Sequence, residues 1–86
     1  MIEKEVRIMD PAGLHTRPAK QFVDAAKKYA CDVTLIRDTK EGSGKNLIKL
    51  MKLGISCGTV ITLRCDGADE KEACEKLGNI LVNMKG

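Results

Sequence analysis

The only histidine of the chain, His15, lies in the segment Gly13-Leu14-His15-Thr16-Arg17-Pro18-Ala19. The apolar pattern of a helix begins directly after it, so an imidazole stands at a predicted helix start, two residues before a guanidinium. An anion on that ring would meet the unpaired backbone N–H groups of Thr16 and Arg17, the positive end of the helix dipole and the Arg17 side chain. The pattern therefore indicates a histidine that carries a phosphoryl group.

The remaining residues favour a carrier over an enzyme. A neutral imidazole can attack phosphorus, and a pKa of about 6.5 leaves it largely neutral in the cytosol. The chain has no second histidine, no dense carboxylate cluster and no P-loop. We expect no cofactor and no metal, and we expect partner proteins to supply part of the positioning and charge neutralisation. The ordinary alternative is a helix-capping or surface histidine, but an arginine at a helix start opposes the dipole unless an anion binds there.

Length and charge restrict the class of protein. Eighty-six residues predict a single domain, 1–86, with a modest core. The net charge of +3, the scattered basic residues and the presence of only one Tyr and one Phe argue against nucleic-acid binding. No apolar run reaches the roughly 18 residues of a membrane span, and the start is too acidic for a signal peptide. We expect a cytoplasmic monomer whose positive face binds an acidic protein partner.

The four cysteines, Cys31, Cys57, Cys65 and Cys74, are at least eight residues apart. A disulfide framework would need an oxidising compartment. A zinc site formed with His15 is disfavoured, because zinc ligands normally come in closely spaced pairs. We expect reduced thiols that serve mostly as small buried hydrophobes.

Hydrophobic periodicity predicts the order β-α-β-(β)-α-β-α, and hence helices packed on one face of a mostly antiparallel sheet, an α+β fold. The first helix starts at Thr16 and carries an apolar stripe that includes Ala30. Asp69 and Glu72 resemble a capping box, and Gly78 within the last helix would be explained by a close helix–sheet approach. The strands are predicted over residues 2–9, 33–37 and 60–65, and residues 40–45 form at most a short, weak strand. The second helix is predicted over residues 46–53. The third helix follows Asp69, and its apolar stripe ends at Met84.

The helix predicted over residues 46–53 is too apolar for a single core face. Its five apolar residues span about 220° of the helix, whereas a core-facing stripe needs about half that arc. Leu50 and Leu53 group on one side of the arc. The other side carries Leu47, Ile48 and Met51. We therefore expect some of these side chains to face solvent or a partner.

The segment 13–19 resembles the active-site motif of the HPr family, the histidine phosphocarriers of the bacterial sugar phosphotransferase system. Residues 50–55 (Leu-Met-Lys-Leu-Gly-Ile), 57–60 (Cys-Gly-Thr-Val) and 67–70 (Gly-Ala-Asp-Glu) are similar to the family's second helix, last strand and last helix start. The resemblance implies an open-faced β-sandwich, a four-stranded antiparallel sheet with three helices on one face. It also implies that enzyme I, phosphorylated from phosphoenolpyruvate, transfers a phosphoryl group to His15, and that enzyme IIA components of sugar permeases receive it.

The resemblance also places the second helix next to His15. A partner-docking surface is accordingly predicted from Leu47, Ile48, Met51, Lys20, Lys49 and Lys52. Taken individually, Lys20, Lys45, Lys49 and Lys52 are more simply explained as solvated charges.

Two positions depart from the family pattern. Asn46 stands where many Gram-positive members carry a serine that a kinase phosphorylates, and Ser43 is three residues out of register, so no regulatory serine is expected. At position 12, where a short polar side chain is common in the family, this chain has Ala12. Two alternatives remain open: a regulatory HPr-like binding module, and a carrier of a nitrogen-type phosphotransferase branch.

Overall fold

Four strands and three helices follow one another in the predicted order. A computed structural model describes residues 1–11, 13–14 and 16–83, so the predictions that concern Ala12, His15 and Met84 lie outside the described residues. The elements are β1 (Ile2–Arg7), α1 (Thr16–Ala26), β2 (Asp32–Arg37), β3 (Lys40–Ser43), α2 (Leu47–Lys52), β4 (Val60–Asp66) and α3 (Glu70–Val82).

The strands form one antiparallel sheet in the order β1-β4-β2-β3. Strand β4 lies between β1 and β2, and its alternating side chains divide the two faces. Ile61 and Leu63 are buried under the helices, whereas Arg64 points to the uncovered face and lies 2.9 Å from Glu3. The expected α+β fold, an open-faced sandwich with its helices on one side, is confirmed.

Helix α1 buries the predicted stripe but ends earlier than its periodicity suggested. Phe22 and Ala26 are fully buried, and the predicted continuation to Ala30 is wrong. The chain turns after Ala26, where Tyr29 N–H donates to the Ala26 carbonyl. The Lys45 ammonium donates to the Tyr29 carbonyl at 2.7 Å, so this half-buried lysine holds the end of α1 rather than being simply solvated.

The predicted capping box at the start of α3 is also wrong. Asp69 is the N-cap residue but makes no side-chain capping bond. Its carboxylate instead accepts the backbone N–H groups of Ala30 and Cys31, at 2.8 and 2.9 Å. The carboxylate that reaches back is that of Glu70, which accepts the Gly67 N–H at 3.3 Å.

Gly78 lies where α3 crosses β1. A Cβ added there would be 3.3 Å from Cδ and Nζ of Lys4. The nearest neighbour of this glycine is therefore the side chain of an exposed lysine and not the backbone of the sheet, so the close helix–sheet approach stays a prediction.

Three of the four thiols are buried, as expected for small core residues. Cys31, Cys65 and Cys74 lie in the core, whereas Cys57 is exposed, and all four are free. Burial, with the neighbouring Cys74 and Cys31, raises the pKa of the Cys65 thiol to about 12, so it stays protonated at neutral pH. No helix in the described ranges is both long and apolar enough to cross a membrane.

Candidate functional site

The segment that leads to the predicted site is held by the loop between α2 and β4. Gly13 N–H donates to the Asp10 carbonyl at 2.8 Å, and Leu14 N–H donates to the Ile55 carbonyl at 3.0 Å. Gly13 has a φ of +71°, and a Cβ there would lie 2.5 Å from the Ile55 oxygen. Only glycine fits this approach without strain. The backbone before α1 is thus fixed from both sides, with Leu14 anchored in the core.

The α2–β4 loop is itself braced against the end of β1. Ser56 and Thr59 bond through their hydroxyls at 3.2 Å. Gly58 N–H donates to the Ile8 carbonyl at 2.6 Å, and the Cys57 thiol donates to the Met9 carbonyl at 3.7 Å. Sequence reasoning did not identify this support, because it depends on contacts between segments more than 40 residues apart. Gly54 and Gly58 were the only local sign of a loop.

Helix α1 begins at Thr16, so Thr16 and Arg17 occupy its first two positions. Their backbone N–H groups, like those of any first turn, have no carbonyl partner within the helix. Pro18 is buried, and as the third helical residue it has no N–H to leave unpaired. The first turn contains no acidic residue. The positive end of the dipole is therefore not offset by a carboxylate in that turn.

Arg17 adds a full positive charge to this helix start. Its side chain is exposed, and within the described ranges it forms no ion pair. Lys20, one turn further on, is exposed and lies 3.5 Å from Asp24. A dianion at the start of α1 would thus meet backbone donors and a guanidinium that has no carboxylate partner in the described part of the chain.

The phosphoacceptor proposed from the sequence, His15, lies outside the described residues. Leu14 and Thr16, its two neighbours in the sequence, are both described. The structure accordingly describes the donors expected to surround a bound phosphoryl group, and the acceptor role of His15 stays a prediction.

The second helix, α2, separates its apolar residues into a buried and an exposed group. Asn46 caps it by accepting the Lys49 N–H at 3.1 Å. Leu50 and Leu53 are buried, at 1% and 4% exposure, whereas Ile48 and Met51 are 68% and 36% exposed. Leu47 was predicted with the exposed group. It is instead partly buried and packs against the core.

The exposed part of α2 carries both apolar and basic side chains. Lys49 and Lys52 are exposed on the same helix as Ile48 and Met51, and α2 packs against α1. The helix that begins with the candidate phosphate donors and the helix that bears the candidate docking residues are therefore direct neighbours. An apolar centre with a basic rim suits an acidic protein partner.

Comparisons with a family model, curated proteins and solved structures all match this chain to HPr or HPr-like proteins. Residues 2–83 match the family model described as the PTS HPr component phosphorylation site. The chain is 48% identical to the phosphocarrier protein HPr of Vibrio cholerae, over 90% of this chain and 91% of that protein. It is also 42% identical to the HPr-like protein Crh of Bacillus subtilis, again over 90% and 91%.

A solved structure extends the likeness to the fold. The crystal structure of HPr-C-His from Thermoanaerobacter tengcongensis superposes with a TM-score of 0.90 at 36% identity, covering 94% of this chain and 91% of that one. The family match, the curated relatives and the superposition each cover at least 90% of the chain. The family match, over residues 2–83, includes the segment before α1 and the helix start described above. The chain belongs to the HPr family of phosphocarrier proteins of the phosphotransferase system.

Proposed function

We propose that this protein is a phosphocarrier that accepts a phosphoryl group on His15 from phosphorylated enzyme I and passes it to enzyme IIA components of sugar permeases. The observation that carries the proposal is the start of α1. Backbone N–H groups that have no carbonyl partner within the helix, a proline without an N–H and an exposed arginine lie there, and the first turn has no acidic residue. This arrangement favours a bound dianion.

The proposed transfer is a displacement at phosphorus, from a donor atom of enzyme I to the imidazole of His15. The unprotonated nitrogen of neutral His15 attacks phosphorus, the new N–P bond forms, and the bond from phosphorus to the donor breaks with its electron pair returning to the donor. Thr16 and Arg17 backbone N–H groups and the Arg17 guanidinium stabilise the charge on the phosphoryl oxygens. The reverse displacement on an acceptor protein unloads the carrier. The protein acts as a carrier rather than a catalyst, since positioning of the second reactant comes from the partner.

The partners dock on α2 in this proposal. Ile48 and Met51 supply the apolar centre, partly buried Leu47 supports them from below, and Lys20, Lys49 and Lys52 supply the basic rim. The proposed carrier is cytoplasmic, as the family resemblance implies.

A regulatory binding module is the second candidate, because the chain is similar to Crh. Asn46 counts against a serine-switched form, since an amide side chain cannot take the phosphate. The Arg17 helix start favours transfer. A carrier of a nitrogen-type branch would use the same chemistry with other partners.

The deciding experiment is incubation with enzyme I and phosphoenolpyruvate, followed by intact-mass analysis. We expect the mass of one phosphoryl group, lost on mild acid treatment, and none on His15→Ala protein that remains folded. Labelling of His15→Ala would contradict the assignment of the acceptor. Failure of the unaltered protein to be labelled, when another HPr is labelled in parallel, would favour the regulatory module.

A further inference from the structure

The peptide unit between Ile55 and Ser56 is hydrogen-bonded at both of its ends. Its carbonyl accepts the backbone N–H of Leu14 at 3.0 Å. Its N–H donates to the side-chain oxygen of Thr59, Oγ1, at 3.3 Å. Because a peptide unit is planar and turns as one body, the Thr59 oxygen fixes the direction in which the carbonyl meets Leu14.

Thr59 is itself held in place by the backbone around it. Its N–H donates to the Ser56 carbonyl at 3.1 Å and closes a turn in which Gly58 has a φ of +86°, as in type II turns. Gly58 N–H donates to the carbonyl of Ile8, and Ile8 N–H donates to the carbonyl of Thr59 at 2.9 Å. Since Ile8 is fully buried directly after β1, the Thr59 oxygen is an acceptor anchored to the sheet.

The chain that leads to His15 runs against the same peptide unit. A Cβ added at Gly13 would lie 2.5 Å from the Ile55 oxygen and 2.7 Å from Cα of Ser56. A rotation of this peptide unit would therefore break its bond to Leu14 or displace Gly13. The position of the backbone just before His15 thus depends on the orientation of one peptide unit in the α2–β4 loop.

We propose that Thr59 is a positioning residue for phosphoryl transfer, an inference that rests on the proposed function. Its side-chain oxygen orients the Ile55–Ser56 peptide unit, and that unit orients the backbone from which His15 follows. Thr59 takes no part in the chemistry itself. Because the proposed docking residues lie on α2 and not in this turn, loss of the oxygen should lower kcat and leave KM unchanged.

The test is a steady-state measurement of kcat and of the KM for this protein as the substrate of enzyme I, with saturating phosphoenolpyruvate. Thr59→Val keeps the shape of the side chain and removes the oxygen. It should lower kcat about tenfold at unchanged KM, within the roughly 10²-fold that a displacement of about 1 Å can cost. Thr59→Ser retains the oxygen and should restore kcat. Thr59→Ala removes the oxygen without adding a methyl group and should behave like Thr59→Val.

Two controls separate positioning from a general loss of hydroxyl groups or of stability. Thr62→Val removes a hydroxyl from a half-buried threonine of β4 outside the turn and should change neither kcat nor KM. Asp69→Asn removes the carboxylate that accepts the N–H groups of Ala30 and Cys31, and it should lower stability without lowering kcat of the folded protein.

Amide hydrogen exchange reads the proposed connection directly. The Leu14 N–H should exchange faster in Thr59→Val than in the unaltered protein, Thr59→Ser or Thr62→Val, because its acceptor is no longer held. An unchanged kcat or unchanged Leu14 exchange in Thr59→Val, a kcat that Thr59→Ser does not restore, or an equal loss of kcat in Asp69→Asn would overturn the positioning role. Failure of enzyme I to label the unaltered protein would instead overturn the proposed function, so the two failures are distinguishable.

Discussion

Helices α1 and α3 begin in opposite ways. The first turn of α1 contains Arg17 and no acidic residue. The first turn of α3 contains Glu70 and Glu72, and Asp69 stands directly before it. The α3 arrangement is the one that the helix dipole favours, and the α1 arrangement opposes it.

Two acidic residues at the start of α3, Asp69 and Glu70, have partners within the chain. The terminal ammonium of Met1 lies 2.8 Å from Glu70 and 3.8 Å from Asp66. The bond to Glu70 raises the pKa of that ammonium and lowers the pKa of the Glu70 carboxyl. The backbone N–H of Ala30, together with the Cys31 thiol and N–H, lowers the pKa of Asp69. Asp69 and Glu70 at the start of α3 thus stabilise the fold through partners within the chain, whereas Arg17 at the start of α1 forms no ion pair among the described residues.

Charge reversal at the start of α1 has the largest expected effect, which is on the rate of phosphoryl transfer. Arg17→Glu should raise the free energy of unfolding by about 0.3–1 kcal/mol, because an acidic side chain complements the dipole. It should lower the rate of phosphoryl transfer from enzyme I by about 10²-fold or more, the usual cost of removing one donor from a developing anion. Stopped-flow or quench-flow labelling and thermal unfolding measure the two effects.

The matched control reverses a charge beyond the other end of the same helix. Lys28→Glu changes the net charge equally at an exposed position after α1 and should change transfer by less than about threefold, given screening by salt. Similar losses in both variants would mean that net charge, and not the helix start, controls the reaction. A loss of stability in Arg17→Glu would mean that Arg17 is structural.

The proposed function has a partner dock near the start of α1, and α2 provides the second test. Ile48→Ala or Met51→Ala should weaken enzyme I binding by about 1–2 kcal/mol, or about 5- to 30-fold, as for a central interface residue. Because Ile48 is 68% exposed, folding should be nearly unaffected. Titration calorimetry and chemical denaturation measure these two quantities.

Leu50 on the same helix is the control, since it is 1% exposed. Leu50→Ala should lower the free energy of unfolding by about 2–5 kcal/mol. If Ile48→Ala behaves in that way, with binding unchanged once unfolded protein is corrected for, the docking surface is wrong.

The hydrogen-bonded carboxylate of Asp69, just before α3, predicts a pH-dependent stability. The pKa of Asp69 is lower in the folded protein than in the unfolded chain, where it is about 3.9. Its contribution to stability is therefore complete above that value and is lost as the pH falls through the lower folded pKa. Asp69→Asn should unfold at a lower temperature than the unaltered protein at neutral pH, and the gap should close in acid. Glu75→Gln, at an exposed position further along α3, should show no such gap; a gap that persists in acid would contradict the linkage.

The local pattern of the sequence predicted the elements well, because each needs only its own periodicity. The alternation that buries Ile61 and Leu63 and the stripe that buries Phe22 can be recognised within a few residues. The errors came where a distant segment competed for a side chain. Asp69 has the type and spacing of a capping residue, but it bonds to backbone 38 and 39 residues earlier in the chain.

The candidate site shows the same difference between local features, which the sequence predicts, and long-range contacts, which it does not. Arg17, Ile48 and Met51 were identifiable because residue type, helix position and the width of an apolar arc are local properties. The contact of Leu14 with Ile55 was not identifiable from the sequence. It joins two loops through backbone atoms, and a backbone hydrogen bond does not depend on residue type.

Helix α2 begins in a third way, since it is capped by a neutral amide. Substitutions of this capping residue have the smallest expected effects on stability. Asn46 accepts the Lys49 N–H, and serine caps a helix about equally well. Asn46→Ser should therefore change the free energy of unfolding by only a few tenths of a kcal/mol, whereas Asn46→Ala should cost about 1 kcal/mol. With an HPr kinase and ATP, the unaltered protein should acquire no stable phosphate and Asn46→Ser should acquire one. Phosphorylation of the unaltered protein on Ser43 would show that the register argument is wrong, and a large loss of stability in Asn46→Ser would mean that the amide does more than cap the helix.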